Sequence, residues 1–115
     1  MANTFKVVTK AGVTSADVIY TAGSGVTAIV LGLILGNTTT SQITSTVTLS
    51  SDTSSRAGGN DEANQAVELI TNAPIPAGSS LELLSGNKVV LETTDTISVT
   101  GSGATDVALS IMEIT

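Results

Sequence analysis

The run from Val26 to Leu35, VTAIVLGLIL, constrains this chain more than any other stretch. Eight of its ten residues are aliphatic or alanine, and only Thr27 and Gly32 interrupt them. A strand with one wet face alternates between apolar and polar residues, and this run does not. It is also far shorter than the ~20 residues of a membrane-spanning helix. The run therefore predicts a central strand that is buried on both faces.

The other apolar segments are short and are separated by Gly-, Pro- and Asn-containing turns. We predict further strands over Asn3–Thr9, Val13–Tyr20, Gln42–Leu49, Ala66–Thr71, Ser80–Leu84, Lys88–Glu92, Asp95–Thr100 and Asp106–Ile114. Phe5 and Val7 share one face of the first strand, Ala11-Gly12 turns the chain, and Val18 with Tyr20 gives the second strand an inward face.

This spacing of short strands and turns is typical of sandwiches and barrels. We therefore predict an all-β fold in which residues 1–115 form a single-domain antiparallel β-sandwich of about eight strands, jelly-roll or immunoglobulin-like. Its core must come from Val, Ile, Leu and Ala, since aromatic residues make up only 2% of the chain.

Composition excludes several classes of function. The chain has no His, Cys or Trp, which removes imidazole bases, thiol chemistry, disulfides and the usual zinc ligands. Its net charge is −6, and its four basic residues are scattered, so no basic stripe is available for nucleic acid. The N-terminal MANTFKVV lacks the pattern of a signal peptide. We expect no enzyme activity, no cofactor, no metal, no nucleic-acid partner and no membrane partner.

Three motifs hint at chemistry, and each has a plainer interpretation. Gly23-Ser24-Gly25 fits a dinucleotide fingerprint only formally, because an apolar strand and not a helix follows. The polar interval contains oxygen-bearing residues of the kind that bind a hard cation, but their spacing matches no calcium loop: Asp52, Asn60, Asp61, Glu62 and Asn64. Four carboxylates lack the aromatic residues of a sugar-binding cleft: Glu82, Glu92, Asp95 and Asp106. A glycine-rich turn, a solvated loop and surface acids are the favoured interpretations.

The interval Ser50–Asn64 and the strand before it are the best candidates for a binding surface. The interval is long and polar, and we predict a loop there, with a helix capped by Asn60 or Asp61 as the alternative. Threonines form the outward face of the preceding strand, where hydroxyls and methyls can pack without desolvating charge. The predicted protein-interface residues are Thr44, Thr46, Thr48, Arg56, Gly58 and Gly59.

A resemblance to a known group of proteins emerges from the order of several motifs. The C-terminal part carries Pro74-Ile75-Pro76-Ala77-Gly78, then Val90-Leu91-Glu92 with Asp95 three residues on, then Ser110-Ile111-Met112-Glu113. The N-terminal half adds MANTF, the apolar run and a Gly36-Asn37-Thr38 turn. In this order the motifs resemble those of small β-rich virion proteins of tailed bacteriophages, of the marine and cyanophage type. The resemblance covers most of the chain except residues 51–64. It departs at Thr94, where such proteins often have glycine.

The resemblance implies a non-enzymatic virion structural protein, most plausibly a capsid decoration (cement) protein that bridges capsid subunits. The implied partners are other virion proteins, the major capsid protein first, and further copies of the chain, with a trimer favoured. The implied location is the capsid surface of a virion assembled in the host cytoplasm. The alternative is a tail, connector or fibre component, including a host-surface recognition module that binds through residues 51–64.

Overall fold

The computed structural model describes residues 2–51, 64–84 and 86–115, and these form nine strands and no helix. The strands are β1 (Asn3–Val13), β2 (Ala16–Thr21), β3 (Thr27–Asn37), β4 (Ile43–Ser50), β5 (Val67–Ile75), β6 (Ser80–Leu83), β7 (Val89–Leu91), β8 (Thr96–Gly101) and β9 (Thr105–Ile114). Within these ranges, no helix is long and apolar enough to cross a membrane.

All strand pairs are antiparallel and belong to two sheets. Sheet A has the order β1-β9-β3-β6, with β7 also paired to β3, and sheet B has the order β2-β8-β4-β5. The two short strands β6 and β7 lie end to end along the same edge of β3. If they are counted as one strand position, this is the eight-stranded order of a jelly roll. The predicted all-β sandwich is confirmed, and of the two predicted topologies the strand order is that of the jelly roll.

The core lies between the two sheets and consists of Val, Ile, Leu and Ala side chains. Each long strand contributes alternate residues, as the two-residue period of a strand requires. Val30, Leu33 and Leu35 of β3 face Val47, Ile97 and Val99 of sheet B, and all six are at most 1% exposed.

The prediction that Val26–Leu35 is buried on both faces is wrong. Ala28, Val30, Leu33 and Leu35 point into the core, but the residues between them point outward. Ile29 and Leu31 are only half-buried, and Ile34 is 45% exposed. No other layer of the described chain covers the outer side of sheet A, so the apolar residues there remain in contact with solvent.

The prediction of a turn at Ala11-Gly12 is also wrong. β1 continues to Val13, and its register with β9 shifts between Lys10 and Val13. Gly12 has φ of +68°, and its N–H donates to Asp106 Oδ1 at 3.0 Å. A glycine with positive φ at a shift of register marks a β-bulge, which bends a strand without ending it.

A second irregularity changes the inward face of β2. The register with β8 shifts between Val18 and Tyr20, so the intervening Ile19 points into the core and is 9% exposed. Val18 points outward and is 56% exposed, contrary to the expected Val18–Tyr20 face. Period-two alternation cannot locate such a shift, because one extra residue reverses the assignment of every residue before it.

Candidate interaction surfaces

The outward side of sheet B carries serine and threonine at every outward position of its two central strands. We call this surface the hydroxyl face; its residues are Thr44, Thr46, Thr48 and Ser50 of β4 and Thr96, Ser98 and Thr100 of β8. The register places Thr46 opposite Thr100 and Thr48 opposite Ser98. The sequence predicted the β4 row, but we missed the β8 row. Its signal was the same alternation in TISVT, where Ile97 and Val99 are fully buried.

Three of the six predicted interface residues lie in the described part of the chain, and three lie outside it. Thr44, Thr46 and Thr48 share the hydroxyl face and are each half-buried. The Thr46 hydroxyl accepts a hydrogen bond from the Asn72 N–H at 2.9 Å, so it also holds the edge strand β5 in place. The other three predicted residues lie outside the described residues: Arg56, Gly58 and Gly59. So do most of the candidate cation ligands and the alternative helix cap.

The outward side of sheet A forms a second surface, which the sequence analysis did not assign. We call it the apolar face; its large side chains are Phe5, Val7, Ile29, Ile34, Val90 and Met112. Phe5 is 72% exposed and Val7 is 63% exposed. Across the sheet, Phe5 is level with Met112, which is level with Ile29. A continuous exposed apolar patch on a β-sheet is typical of a surface that binds another molecule.

A small polar cluster links the two sheets at one end of the sandwich. The Tyr20 hydroxyl of β2 donates to Glu113 Oε2 of β9 at 2.6 Å, and Lys6 Nζ lies 2.7 Å from Glu113 Oε1. The Lys6 ammonium first, and then the Tyr20 hydroxyl, lower the pKa of Glu113 below its usual 4.5. Burial, reinforced by the Glu113 carboxylate, raises the pKa of Tyr20 well above its usual 10.0. Each of the three side chains has a partner within the cluster, and the Tyr20–Glu113 hydrogen bond joins the two sheets, so the cluster supports the fold.

We expect this cluster to make stability depend on pH at both extremes. Because folding lowers the pKa of Glu113, its contribution is present above pH 4.5 and is lost as pH falls below that value. Because folding raises the pKa of Tyr20, its contribution is present below pH 10.0 and is lost as pH rises above it. Denaturant titrations over a pH series measure both slopes.

Variants separate these two slopes. Glu113→Gln should flatten the acid slope, and Tyr20→Phe should flatten the alkaline one and cost about 1–2 kcal/mol at neutral pH. Asp17→Asn is the control, because Asp17 belongs to a longer ion pair of 3.7 Å with Lys10. An acid slope that is the same in Glu113→Gln as in the unchanged protein would contradict this assignment.

The segment Glu92–Asp95, part of the quoted C-terminal motif, is a tight turn. The Asp95 N–H donates to the Glu92 carbonyl at 2.9 Å, and the Glu92 N–H donates to Asp95 Oδ2 at 3.0 Å. Thr94 has φ of +74°, whereas Thr93 has negative φ, which makes this a type II turn. Asp95 is 2% exposed and also accepts from the Ser51 hydroxyl at 3.1 Å. The carboxylate therefore has a structural role, and the departure at Thr94 puts a threonine where the turn favours glycine.

We expect Thr94→Gly to raise the free energy of unfolding by about 0.5–1 kcal/mol. A β-branched residue is strained at positive φ by about 1–2 kcal/mol, and the greater freedom of glycine in the unfolded chain offsets part of the gain. Thr93→Gly is the matched control and should lower stability, since threonine is unstrained there. Thermal and urea unfolding of both variants measure the difference. A loss of stability in Thr94→Gly equal to that in Thr93→Gly would contradict the turn assignment.

The remaining candidate motifs do not assemble into a catalytic or metal site among the described residues. Gly23–Gly25 is a turn closed by a hydrogen bond from the Val26 N–H to the Gly23 carbonyl at 3.1 Å. Glu82 lies on β6 and Asp106 on β9, separated by β3, and both are exposed. The described ranges contain no group of three or more metal-ligating side chains.

Comparisons with known proteins give only distant structural likenesses. No protein-family model matches the chain, and no curated protein matches it by sequence. A solved structure of Bacillus endospore appendages, a family of disulfide-linked pili, is similar with 16% identity and a TM-score of 0.47, covering 99% of this chain and 87% of the other.

Two viral particle structures are also similar. The T13 particle of IBDV has 8% identity and a TM-score of 0.39, covering 96% of this chain and 35% of the other. The Gx strain of infectious bursal disease virus has 10% identity and a TM-score of 0.39, covering 98% and 37%. This chain therefore spans about a third of the length of either viral chain. TM-scores below 0.5 at such identities establish neither a shared family nor a shared function.

Proposed function

We propose that this chain is a non-enzymatic structural protein of a virion, and specifically a capsid decoration protein that bridges capsid subunits. The observation that carries the proposal is the hydroxyl face of sheet B. Seven serine and threonine residues occupy the outward positions of two adjacent central strands, and no charged residue stands among them. Such a surface hydrogen-bonds to a neighbour without the desolvation penalty of buried charge.

The shape of this surface suits a structural contact better than a small-molecule site. Six of the seven outward side chains are half-buried and Thr100 is exposed, and they lie side by side on two paired strands, so the face is broad and continuous. Small-molecule sites are generally concave and have a few convergent polar groups. Interfaces between assembled proteins are instead wide and uncharged at their centre. The partner with the right properties is another protein of the particle, the major capsid protein first.

The resemblance stated above connects this surface to a tailed-phage particle. One of its matched motifs, the Gly36-Asn37-Thr38 turn, helps to hold the jelly roll together: Asn37 is 3% exposed and donates to the Ile75 and Ser41 carbonyls, each at 2.8 Å. This turn stabilises the sandwich that carries the hydroxyl face. We propose that the chain sits on the capsid surface and makes no use of a cofactor.

A particle-stability experiment tests the proposal. Particles are prepared with and without the protein, heated or osmotically shocked, and assayed for released DNA and for adsorption to host cells. Early DNA release from the depleted particles supports a cement role. Intact heads combined with lost adsorption would instead indicate the alternative, a recognition module on the tail or fibre.

Point variants extend the same test to the hydroxyl face. Ser98→Lys places a charge between the uncharged side chains of Thr48 and Val18 and should weaken re-attachment to depleted particles by tenfold or more, about 1.4 kcal/mol. Thr40→Lys, in the exposed segment between β3 and β4, is the matched control and should attach normally. Equal attachment of the two variants would exclude the hydroxyl face as the contact.

A further inference from the structure

We propose that the apolar face of sheet A binds a second copy of this chain, face to face, about a two-fold axis that runs across the strands through Val7 and Ser110. Four of the six large hydrophobic residues exposed in the described structure lie on this one face: Phe5, Val7, Ile34 and Val90. This pairing belongs to the isolated chain, so it stands independently of where the chain attaches to a particle.

The register divides the apolar face into three rows that run across the strands. The first row contains the bulky side chains Phe5, Met112, Ile29 and Val90. The middle row contains Val7, Ser110 and Gly32, and the third contains Thr9, Ala108 and Ile34, with Glu82 at its outer end on the edge strand β6. Large residues thus lie at one end of the face and mostly smaller ones at the other, with Phe5 and Thr9 about 14 Å apart along β1.

A shallow pocket lies at the end with the smaller residues. It has a volume of about 340 Å³ and is bordered by Thr9, Ile34, Gly36 and Ala108, together with the charged residues Lys10 and Asp106. The pocket exists because Gly36 has no side chain and Ala108 has a short one, while Ile34 projects beside them. An exposed phenylalanine at one end of a face and a pocket at its other end are the two halves of a self-complementary contact.

A two-fold axis along the middle row brings these halves together twice. The rotation reverses the strand direction, so the first row of one copy faces the third row of the other. Phe5 then lies over Thr9 and Ala108 of the second copy, beside the pocket, and the same contact forms on the other side of the axis. Ser110 faces Ser110 of the second copy, where small side chains let the two sheets approach closely.

The size and charge of the apolar face fit a second copy. Four strand positions about 4.8 Å apart and seven residues at about 3.4 Å each give a footprint of roughly 500 Å² per copy. Two such faces bury roughly 900–1,000 Å², the size of a weak, reversible interface. No lysine or arginine lies in the three rows, and the nearby carboxylates of Glu82 and Asp106 are at the rim. Like charges therefore do not oppose each other at the centre.

The first test is the mass of the isolated chain. Sedimentation velocity over a concentration series up to ~1 mM should show a dimer. Phe5→Asp should raise the dissociation constant ~30-fold or more, because it removes the aromatic side chain of the contact and introduces a charge, while circular dichroism shows an unchanged fold. Val18→Asp is the matched control: Val18 is 56% exposed but lies on sheet B, so this variant should remain dimeric. A monomer at every concentration, a trimer, or equal loss in both variants would overturn the proposal.

The second test reports on the axis. The chain has no cysteine, so a single introduced thiol is unique. Ser110→Cys should be cross-linked to a covalent dimer by a short bismaleimide, because the axis places this residue opposite itself. Ser98→Cys, at the equivalent central position on the outward side of sheet B, is the matched control and should remain monomeric on a denaturing gel. Equal cross-linking of the two variants would overturn the assignment of the face.

Discussion

Replacing Leu35 by alanine should lower the free energy of unfolding by about 2–5 kcal/mol. Leu35 is fully buried, and its partners across the sheet are Val107 on β9 and Leu81 on β6. The substitution removes the transfer free energy of the side chain and leaves a cavity that the two rigid sheets cannot close. Urea titration followed by circular dichroism measures the effect.

Val18→Ala is the matched comparison for this prediction. It also truncates an aliphatic residue in a strand, but Val18 is 56% exposed and points away from the core. We expect a change within about 0.5 kcal/mol. A loss below 1 kcal/mol in Leu35→Ala, or similar losses in the two variants, would contradict the assignment of the core.

Gly101→Ala should be at least as damaging, at about 3 kcal/mol or more. A Cβ on Gly101 would lie 2.5 Å from the Val13 carbonyl oxygen, 2.6 Å from Thr105 Oγ1 and 2.8 Å from the Gly103 carbonyl oxygen. Two of these three atoms belong to the backbone, so no side-chain rotation relieves the overlap. Strands β1 and β8 would have to move apart, which would weaken both sheets at that end.

Gly86→Ala controls for the general effect of replacing a glycine. Nothing lies within 4 Å of the position that its Cβ would occupy, and its φ is not positive. This variant should be neutral or slightly stabilised, since alanine restricts the unfolded chain. If the two variants unfold at the same denaturant concentration, the close approach at Gly101 is absent.

Strands with strict alternation could be predicted from the sequence with correct faces. On β4, Ile43, Val47 and Leu49 occupy alternate positions with Ser45 as the one polar residue among them, and the structure buries Ile43, Ser45 and Val47 while the threonines face outward. The same physical rule holds on β8, where Ile97 and Val99 are buried. Alternation identifies these strands because a register slip would move every apolar residue into water.

The continuous apolar run of β3 did not predict correctly which of its side chains are buried. The β3 run is apolar on both sides, yet only one side meets the core, and Ile34 remains 45% exposed. An apolar strand face indicates that burial is favourable, but it does not indicate whether the same chain or another molecule buries it. The excess apolar surface of β3 is thus part of the apolar face, and the proposed dimer accounts for it.

Glycines and bulges limited the prediction of strand ends and orientation. Gly12 and Gly101 were assigned to turns, whereas Gly12 forms a bulge within β1 and Gly101 is the buried last residue of β8. Both roles follow from the missing Cβ, but a single sequence does not distinguish a turn from a bulge or a close approach. The predicted inward face of β2 was wrong for the same reason, because the bulge turns Val18 outward.

The two outer faces divide the proposed work of the molecule. In our proposals, the hydroxyl face on sheet B contacts the capsid and the apolar face on sheet A joins two copies. The faces lie on opposite sides of the sandwich, so the two hydroxyl faces of a face-to-face pair point in opposite directions. Such a pair would stand in a junction of the capsid, with one hydroxyl face against each of two neighbouring subunits.

A three-dimensional density map of the intact particle tests this account most directly. We expect density for pairs of sandwiches at junctions between capsid subunits. Thr44, Thr48 and Ser98 of the two copies should face different capsid subunits, and the copies should touch each other through Phe5. Docking fixes the orientation of each sandwich, because sheet A contains the long strands β1, β3 and β9 and sheet B contains shorter ones. Density confined to the tail, or isolated copies on the capsid that touch no neighbour, would contradict the account.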